Sequence, residues 1–347
     1  MKEKYNAIDG LKAMSALMIV AAHIVFEPDY TLGSEELSGE VIFLGQLVYL
    51  FMILSAFGMC CGYYDRFLNN TVDLRTFYSK RYKRIFPFFA ILVMIELAYT
   101  FAQQHFDLNE VSVGAAKESF ANLTLTFGLL PNAHQIGIVG VGWFLGLIFL
   151  FYMLFPFFVY LIADKRRAWF AFGVSIAMSW LTQTYFSTAE WVAVPNWRDN
   201  MLVSAPYFLM GGLMYLYRHQ LIEWLSGKHR WMFIVAVMAY TLAFFALKMQ
   251  GNVFLVAVLF GLWAILAVTE NPDKMTFLNN KLFKFLSIVS FEIYLCHMMF
   301  LRAVGLLHLE KYVGDGDLKT IVTYVCVIVL AVAFASVYKR FESKYIK

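Results

Sequence analysis

Charge is what this sequence has least of: 15% of its 347 residues are Asp, Glu, Lys or Arg, against 61% hydrophobic. Soluble domains carry roughly 25% charged and about 45–50% apolar residues, so this chain has more apolar surface than one water-facing core can bury. A soluble enzyme is excluded. Cysteine is almost as scarce, and Cys60, Cys61, Cys296 and Cys326 all fall inside apolar stretches. Spaced that way they read as small core residues, not as a disulfide framework, and no metal site is expected. There is no basic stripe and no low-complexity tail, so no nucleic-acid partner is expected either. The apolar segment after Met1-Lys2-Glu3-Lys4 lacks a small-x-small cleavage site before a polar mature domain. It therefore reads as a retained first helix.

What the chain does have is ten apolar runs, at 9–27, 41–63, 85–102, 143–162, 169–187, 201–217, 231–248, 252–270, 284–303 and 320–338. A spanning helix takes about 20 residues, so ten of them use about 200 positions and leave little beyond loops. Only helices and closed barrels satisfy their backbone in lipid, and these runs are too long and too uniformly apolar for alternating barrel strands. The expected fold is all-α: a polytopic integral membrane helical bundle of about ten transmembrane helices. It forms a single domain over residues 1–347, with no fused soluble domain.

Charge placement orients the bundle. One alternating set of segments holds Lys2, Lys4 and Lys12; Arg66, Arg75, Lys80, Arg81, Lys83 and Arg84; Lys165, Arg166 and Arg167; Arg218, Lys228 and Arg230; Lys274, Lys281 and Lys284; and Lys339, Arg340, Lys344 and Lys347. These are 22 of the 28 basic residues, and the other set, with Lys117, Arg198, Lys248, Arg302, Lys311 and Lys319, holds 6. By the positive-inside rule both termini are cytoplasmic, and the expected location is the cell (plasma or inner) membrane, as a multi-pass protein. The outer side then carries an acidic first loop, with Glu27, Asp29, Glu35, Glu36 and Glu40, and a long segment from 103 to 142. That segment reads either as a cover over an outer opening or as a solvated connector. Asn122-Leu123-Thr124 fits a glycosylation pattern too short and common to carry weight.

Ionisable groups at bilayer depth are costly and mark functional sites by default. Lys12 and His23 are 11 residues apart on the first helix. That spacing is within about 20° of three full turns, so they share one face about 16 Å apart, with Ala16 and Ile19 between them. His23 is open to two readings: a satisfied core residue, or a general base reachable by a hydroxyl or water. Arg81 and Arg84, at i and i+3 just ahead of the third run, present two guanidinium forks suited to phosphate. The bland reading of that cluster is a topology signal touching anionic lipid. On the ninth run Ser290, Tyr294 and His297 share a face, and His297 lies at the depth of His23. Glu292 points about 140° away from His297. Glu96 is a further buried carboxylate. Gly58/Gly62 and Gly142/Gly146 have the spacing of close helix packing.

Several blocks in order carry a resemblance. They are Ile8-Asp9-Gly10-Leu11-Lys12 with His23; Leu50-Phe51-Met52-Ile53-Leu54-Ser55-Ala56-Phe57; Arg81-x-x-Arg84-Ile85-Phe86-Pro87; Trp143-Phe144-Leu145 with Phe151-Tyr152-Met153-Leu154-Phe155-Pro156; and Ser290 to His297. Together the chain resembles the membrane-bound acyltransferase-3 family from about residue 5 to its end. The resemblance implies transfer of an acyl group, usually acetyl, from cytoplasmic acyl-CoA to a hydroxyl of an envelope polysaccharide or glycolipid. It implies no permanently bound cofactor, with acetyl-CoA as donor substrate. It assigns His23 as catalytic base and Arg81, Arg84 and Lys12 to the donor, with Asp9, Ser55, Glu96, Trp143, Tyr294 and His297 as supporting residues.

Two departures stand out: the family typically has Arg at the position of Lys12, and apolar Ile148 and Phe149 replace a carboxylate-bearing stretch. Some members carry a fused extracytoplasmic domain, so direct transfer or a separate extracytoplasmic partner is expected here. Direct transfer and passage through an acyl-histidine are both open. The competing class is a transporter or flippase of a glycan or lipid-linked intermediate. Transporters often show internal duplication, and none is evident here.

Overall fold

The computed structural model describes residues 5–130, 136–186 and 200–345. Lys2, Lys4, Arg198, Lys347, residue 187 and the stretch 131–135 of the long segment lie outside these. The described chain is helical: α1 (Asn6–Phe26), α2 (Glu35–Phe43), α3 (Val48–Leu68), α4 (Leu74–Gln103), α5 (Glu110–Leu123), α6 (Gly142–Ile162), α7 (Lys165–Leu181), α8 (Met201–Trp224), α9 (Lys228–Ala246), α10 (Val253–Val268), α11 (Lys281–Gly305), α12 (Glu310–Val313) and α13 (Asp317–Tyr345).

The described residues of all ten apolar runs fall largely on helices. Among the described residues seven helical segments are long and apolar enough to cross a membrane: Asn6–Phe26, Glu35–Leu68, Leu74–Gln103, Gly142–Ile162, Lys228–Ala246, Lys281–Gly305 and Asp317–Lys344. The remaining three runs lie on α7, α8 and α10. Helix α7 has 17 residues and continues directly into a π-helical stretch, Thr182–Phe186, while α10 has 16, about 24 Å at 1.5 Å per residue against a hydrocarbon core of about 30 Å. Helix α8 is long enough but carries Tyr207, Tyr215, Tyr217 and Arg218.

Contacts group the chain into two compact units. The first comprises 1–57 and 210–340, the second 58–209 and 341–347, so α3 and α8 each contribute to both.

In the first unit α1 packs most extensively on α11. Ser15, wholly buried, donates back to the Leu11 carbonyl at 2.8 Å, as a hydroxyl must where no water is available. The start of α1 is strapped to the loop before α11: the Asn6 amide donates to the Pro272 carbonyl at 2.9 Å. A Cβ on Gly10 would lie 1.9 Å from the Leu278 carbonyl oxygen, so only glycine permits this approach. Gly211 of α8 meets α3 as closely: a Cβ there would lie 2.2 Å from the Ile53 carbonyl oxygen. Glu292, facing away from His297, forms a 2.6 Å ion pair with Lys339 of α13.

In the second unit α4 begins at Leu74, eleven residues before the apolar run, because Asp73 caps it by accepting from the Thr76 amide at 2.8 Å. Arg81 and Arg84 therefore stand inside a helix and not ahead of one. The core is aromatic: Phe77 stacks on Phe155, and Phe151 stacks on Phe208 with centroids 4.0 Å apart.

The segment from 103 to 142 is not a plain loop. Asn109 and Ser112 form a reciprocal capping box that starts α5. Asn122 is wholly buried and donates to the Glu118 and Ile136 carbonyls. The backbone at Gly128 then presses on Gly146: a Cβ at Gly128 would lie 2.2 Å from the Gly146 carbonyl carbon. Gly146 thus receives a connecting segment, while among the described residues nothing lies within 4 Å of a Cβ at Gly58 or Gly62.

Among the described residues no disulfide joins the cysteines. Cys60 and Cys296 are buried and Cys326 is half-buried, but Cys61 is exposed and so is not the core residue expected.

Candidate active site

Helix α1 runs unbroken from Asn6 to Phe26, so Lys12 and His23 keep the separation of about 16 Å set by their spacing. The lysine ammonium turns to Asp9, 3.7 Å away, and both groups are partly exposed. At the other end His23 is half-buried, with Nδ1 2.9 Å from the Ile19 carbonyl oxygen.

Its neighbour across the α1–α11 contact is His297, whose Nε2 lies 3.2 Å from His23 Nδ1. The ring centroids are 5.0 Å apart. His297 is wholly buried and donates from Nδ1 to the Tyr294 carbonyl at 2.6 Å. The Tyr294 ring is buried edge-on to Phe51 at 6.1 Å and stands 6.0 Å from His297. Two histidines 274 positions apart thus form one pair, with Tyr294 as its support. Ser55, in the same unit, is half-buried.

The basic pair lies in the second unit. Arg81 and Arg84 share a helix but not an environment. Arg81 is half-buried: one guanidinium nitrogen donates to the Tyr63 hydroxyl at 3.1 Å, and another contacts the Met59 sulfur at 3.4 Å. The group lies 5.1 Å from the Tyr63 ring centroid and 5.8 Å from that of Tyr152, within cation–π range. Arg84 is exposed, and Tyr152 lies within the electrostatic reach of both arginines. A cavity of about 290 Å³ opens here, lined by Arg81, Tyr78, Tyr82, Tyr152, Phe149 and Met153.

Hydrogen bonds from the Thr76 side chain and backbone hold the Asp73 carboxyl below its ordinary pKa, keeping the cap of this helix charged. Also in this unit, Glu96 is buried on α4 and Trp143 is buried at the start of α6, edge-on to Phe144 at 6.2 Å.

Tyr63 and Met59 went unassigned in the sequence because nothing in a spanning helix marks which face meets an arginine. Tyr152 sat in a recognisable block but had no role. A larger cavity, about 650 Å³ in the first unit, was also not legible. It is lined by Tyr5, His219, Arg230, Thr269, Glu270 and Lys274 among others. Its Arg230 is held by the Thr269 carbonyl at 2.9 Å and by Glu270 at 3.7 Å.

A family model described as an acyltransferase domain matches residues 5–340. No curated protein and no solved structure matches.

Proposed function

The chain belongs to the acyltransferase-3 family, its match covering both compact units, and from that premise we propose that this membrane acyltransferase moves acetyl from acetyl-CoA to a hydroxyl of an envelope polysaccharide or glycolipid. The observation that carries the reading is His23, held against His297 on a helix long and apolar enough to cross a membrane. An ionisable pair on such helices needs a function to offset its cost, and imidazole is the side chain suited to general-base work near neutral pH.

The donor's anionic part is received by Arg81 and Arg84 on the cytoplasmic side of the plasma or inner membrane, the side on which the basic residues cluster. The acceptor hydroxyl attacks the thioester carbon, His23 takes its proton, and the carbon–sulfur bond breaks to release CoA. Lys12, paired with Asp9, supplies a point charge where the family's arginine would supply a fork. Glu96, Ser55 and Trp143 are supporting residues. The acyl group passes directly to the acceptor or to a separate extracytoplasmic partner.

The test is isotopic. Membranes containing the wild-type chain and given labelled acetyl-CoA should label an envelope glycan or lipid fraction. His23→Ala, inserted at normal level, should label none. Wild-type labelling by that variant would refute the assignment.

A further inference from the structure

The hydrogen bonds around the two histidines determine where their protons sit. His297 Nδ1 is 2.6 Å from the carbonyl oxygen of Tyr294. A carbonyl only accepts, so Nδ1 carries the hydrogen, and in the neutral ring Nε2 is an acceptor. That acceptor lies 3.2 Å from His23 Nδ1, which is also 2.9 Å from the Ile19 carbonyl oxygen. Two acceptors flank one nitrogen, so His23 Nδ1 carries a hydrogen shared between them. The lone pair of His23 is then on Nε2. The opposite arrangement, His297 Nε2–H pointing at a bare His23 Nδ1, would set that lone pair against the Ile19 oxygen. It would also require a doubly protonated imidazole at 0% exposure.

We propose that His297 is a positioning residue that holds His23 in the tautomer whose Nε2 serves as the base. The inference rests on the acyl-transfer reading. As the acceptor oxygen bonds to the thioester carbon and the carbon–sulfur bond breaks, the hydroxyl proton goes to His23 Nε2. The imidazolium keeps its Nδ1–H on Ile19 O and His297 Nε2. The proton then passes from Nε2 to the CoA sulfur, which leaves as a thiol. An orienting carboxylate plays this part in Ser-His-Asp sites. A neutral imidazole does so without burying a negative charge at membrane depth.

Three substitutions separate positioning from packing. His297→Gln places an amide oxygen where Nε2 was, His297→Asn reaches only as far as Nδ1, and His297→Leu has no polar atom. With labelled acetyl-CoA and membranes of equal protein content, the Gln variant should keep its maximal rate within about fivefold of wild type. The Asn and Leu variants should fall by about 10²–10⁴, the range of a general base, with KM for acetyl-CoA unchanged. Equal losses in all three, loss confined to KM, or no loss would overturn the proposal. If the Leu variant fails to insert, the Gln and Asn pair carries the comparison.

Contact is read without turnover in a His23→Cys/His297→Cys chain with its native cysteines replaced by Ser. One of a graded series of bifunctional thiol reagents, from short to long span, should bridge the two positions, whose native rings lie 5.0 Å apart between centroids. No bridging overturns the proposal and leaves acyl transfer standing. Bridging without any label transfer by the wild-type chain overturns the acyl-transfer reading, and the proposed role with it.

Discussion

Tyr63→Phe removes one oxygen and nothing else from the surroundings of Arg81. The ring remains, so the cation–π contact at 5.1 Å is kept, and the Met59 contact at 3.4 Å is untouched. What is lost is the 3.1 Å hydrogen bond from the guanidinium to the hydroxyl. Hydrogen bonds to charged groups contribute about 1.5–3 kcal/mol net. Arg81 is only half-buried, so the lower end applies. About 1.5 kcal/mol corresponds to roughly tenfold in an equilibrium constant.

If Arg81 receives the donor's phosphates, Tyr63→Phe should raise KM for acetyl-CoA about tenfold with little change in maximal rate, measured on membranes with labelled donor. Arg84→Lys keeps an exposed charge and should raise KM no more than about fivefold, since exposed ion pairs are worth about 0.2–1 kcal/mol. Lys83→Ala, on the same helix and exposed, serves as the control. Indistinguishable KM values for Tyr63→Phe, Arg84→Lys and Lys83→Ala would refute the reasoning and leave the cluster as a topology signal.

Three further outcomes are expected. Gly10→Ala forces a Cβ to within 1.9 Å of the Leu278 carbonyl oxygen, and overpacking of this kind costs about 1–3 kcal/mol. Thermal unfolding in detergent should shift down, whereas Gly58→Ala, with open space around it, should not. Asp73 has a depressed pKa in the folded chain, so its contribution is present above the ordinary carboxylate value of about 3.9 and is lost as pH falls through the folded value. The difference in stability between wild type and Asp73→Asn should therefore shrink on acidification from pH 5 to pH 3, and a constant difference would contradict the capping role. Asn122 is buried with its amide spent on two carbonyls. Expressed in a glycosylating host it should stay unmodified by mass spectrometry, and Asn122→Ala should lower stability by about 1–3 kcal/mol.

Sequence patterning located the helices because hydrocarbon imposes one solution on an apolar run: every backbone group must bond within its own helix. Polar chemistry between the runs was less legible. The segment 103–142 gave no long apolar run, yet Asn109 and Ser112 start a helix in it, a local capping signal easily passed over among polar residues. The same signal at Asp73 extends α4 past the basic cluster. Glycine spacing at Gly58 and Gly62 states which residues share a face and not what that face meets.

The site divides along the same line. By itself the sequence determined the fold class, the family, and the placing of His23 and His297 on spanning helices, because scarcity of charge makes each intramembrane ionisable residue conspicuous. It also determined that Arg81 and Arg84 share a helix. Only the tertiary structure decided that His23 and His297 touch, that Lys12 turns to Asp9, and that Tyr63 and Tyr152 enclose Arg81 while Arg84 stays exposed. The reason is physical. Periodicity along one helix follows from its own geometry, whereas a contact between helices depends on their relative rotation and offset, and those are settled by packing over the whole interface.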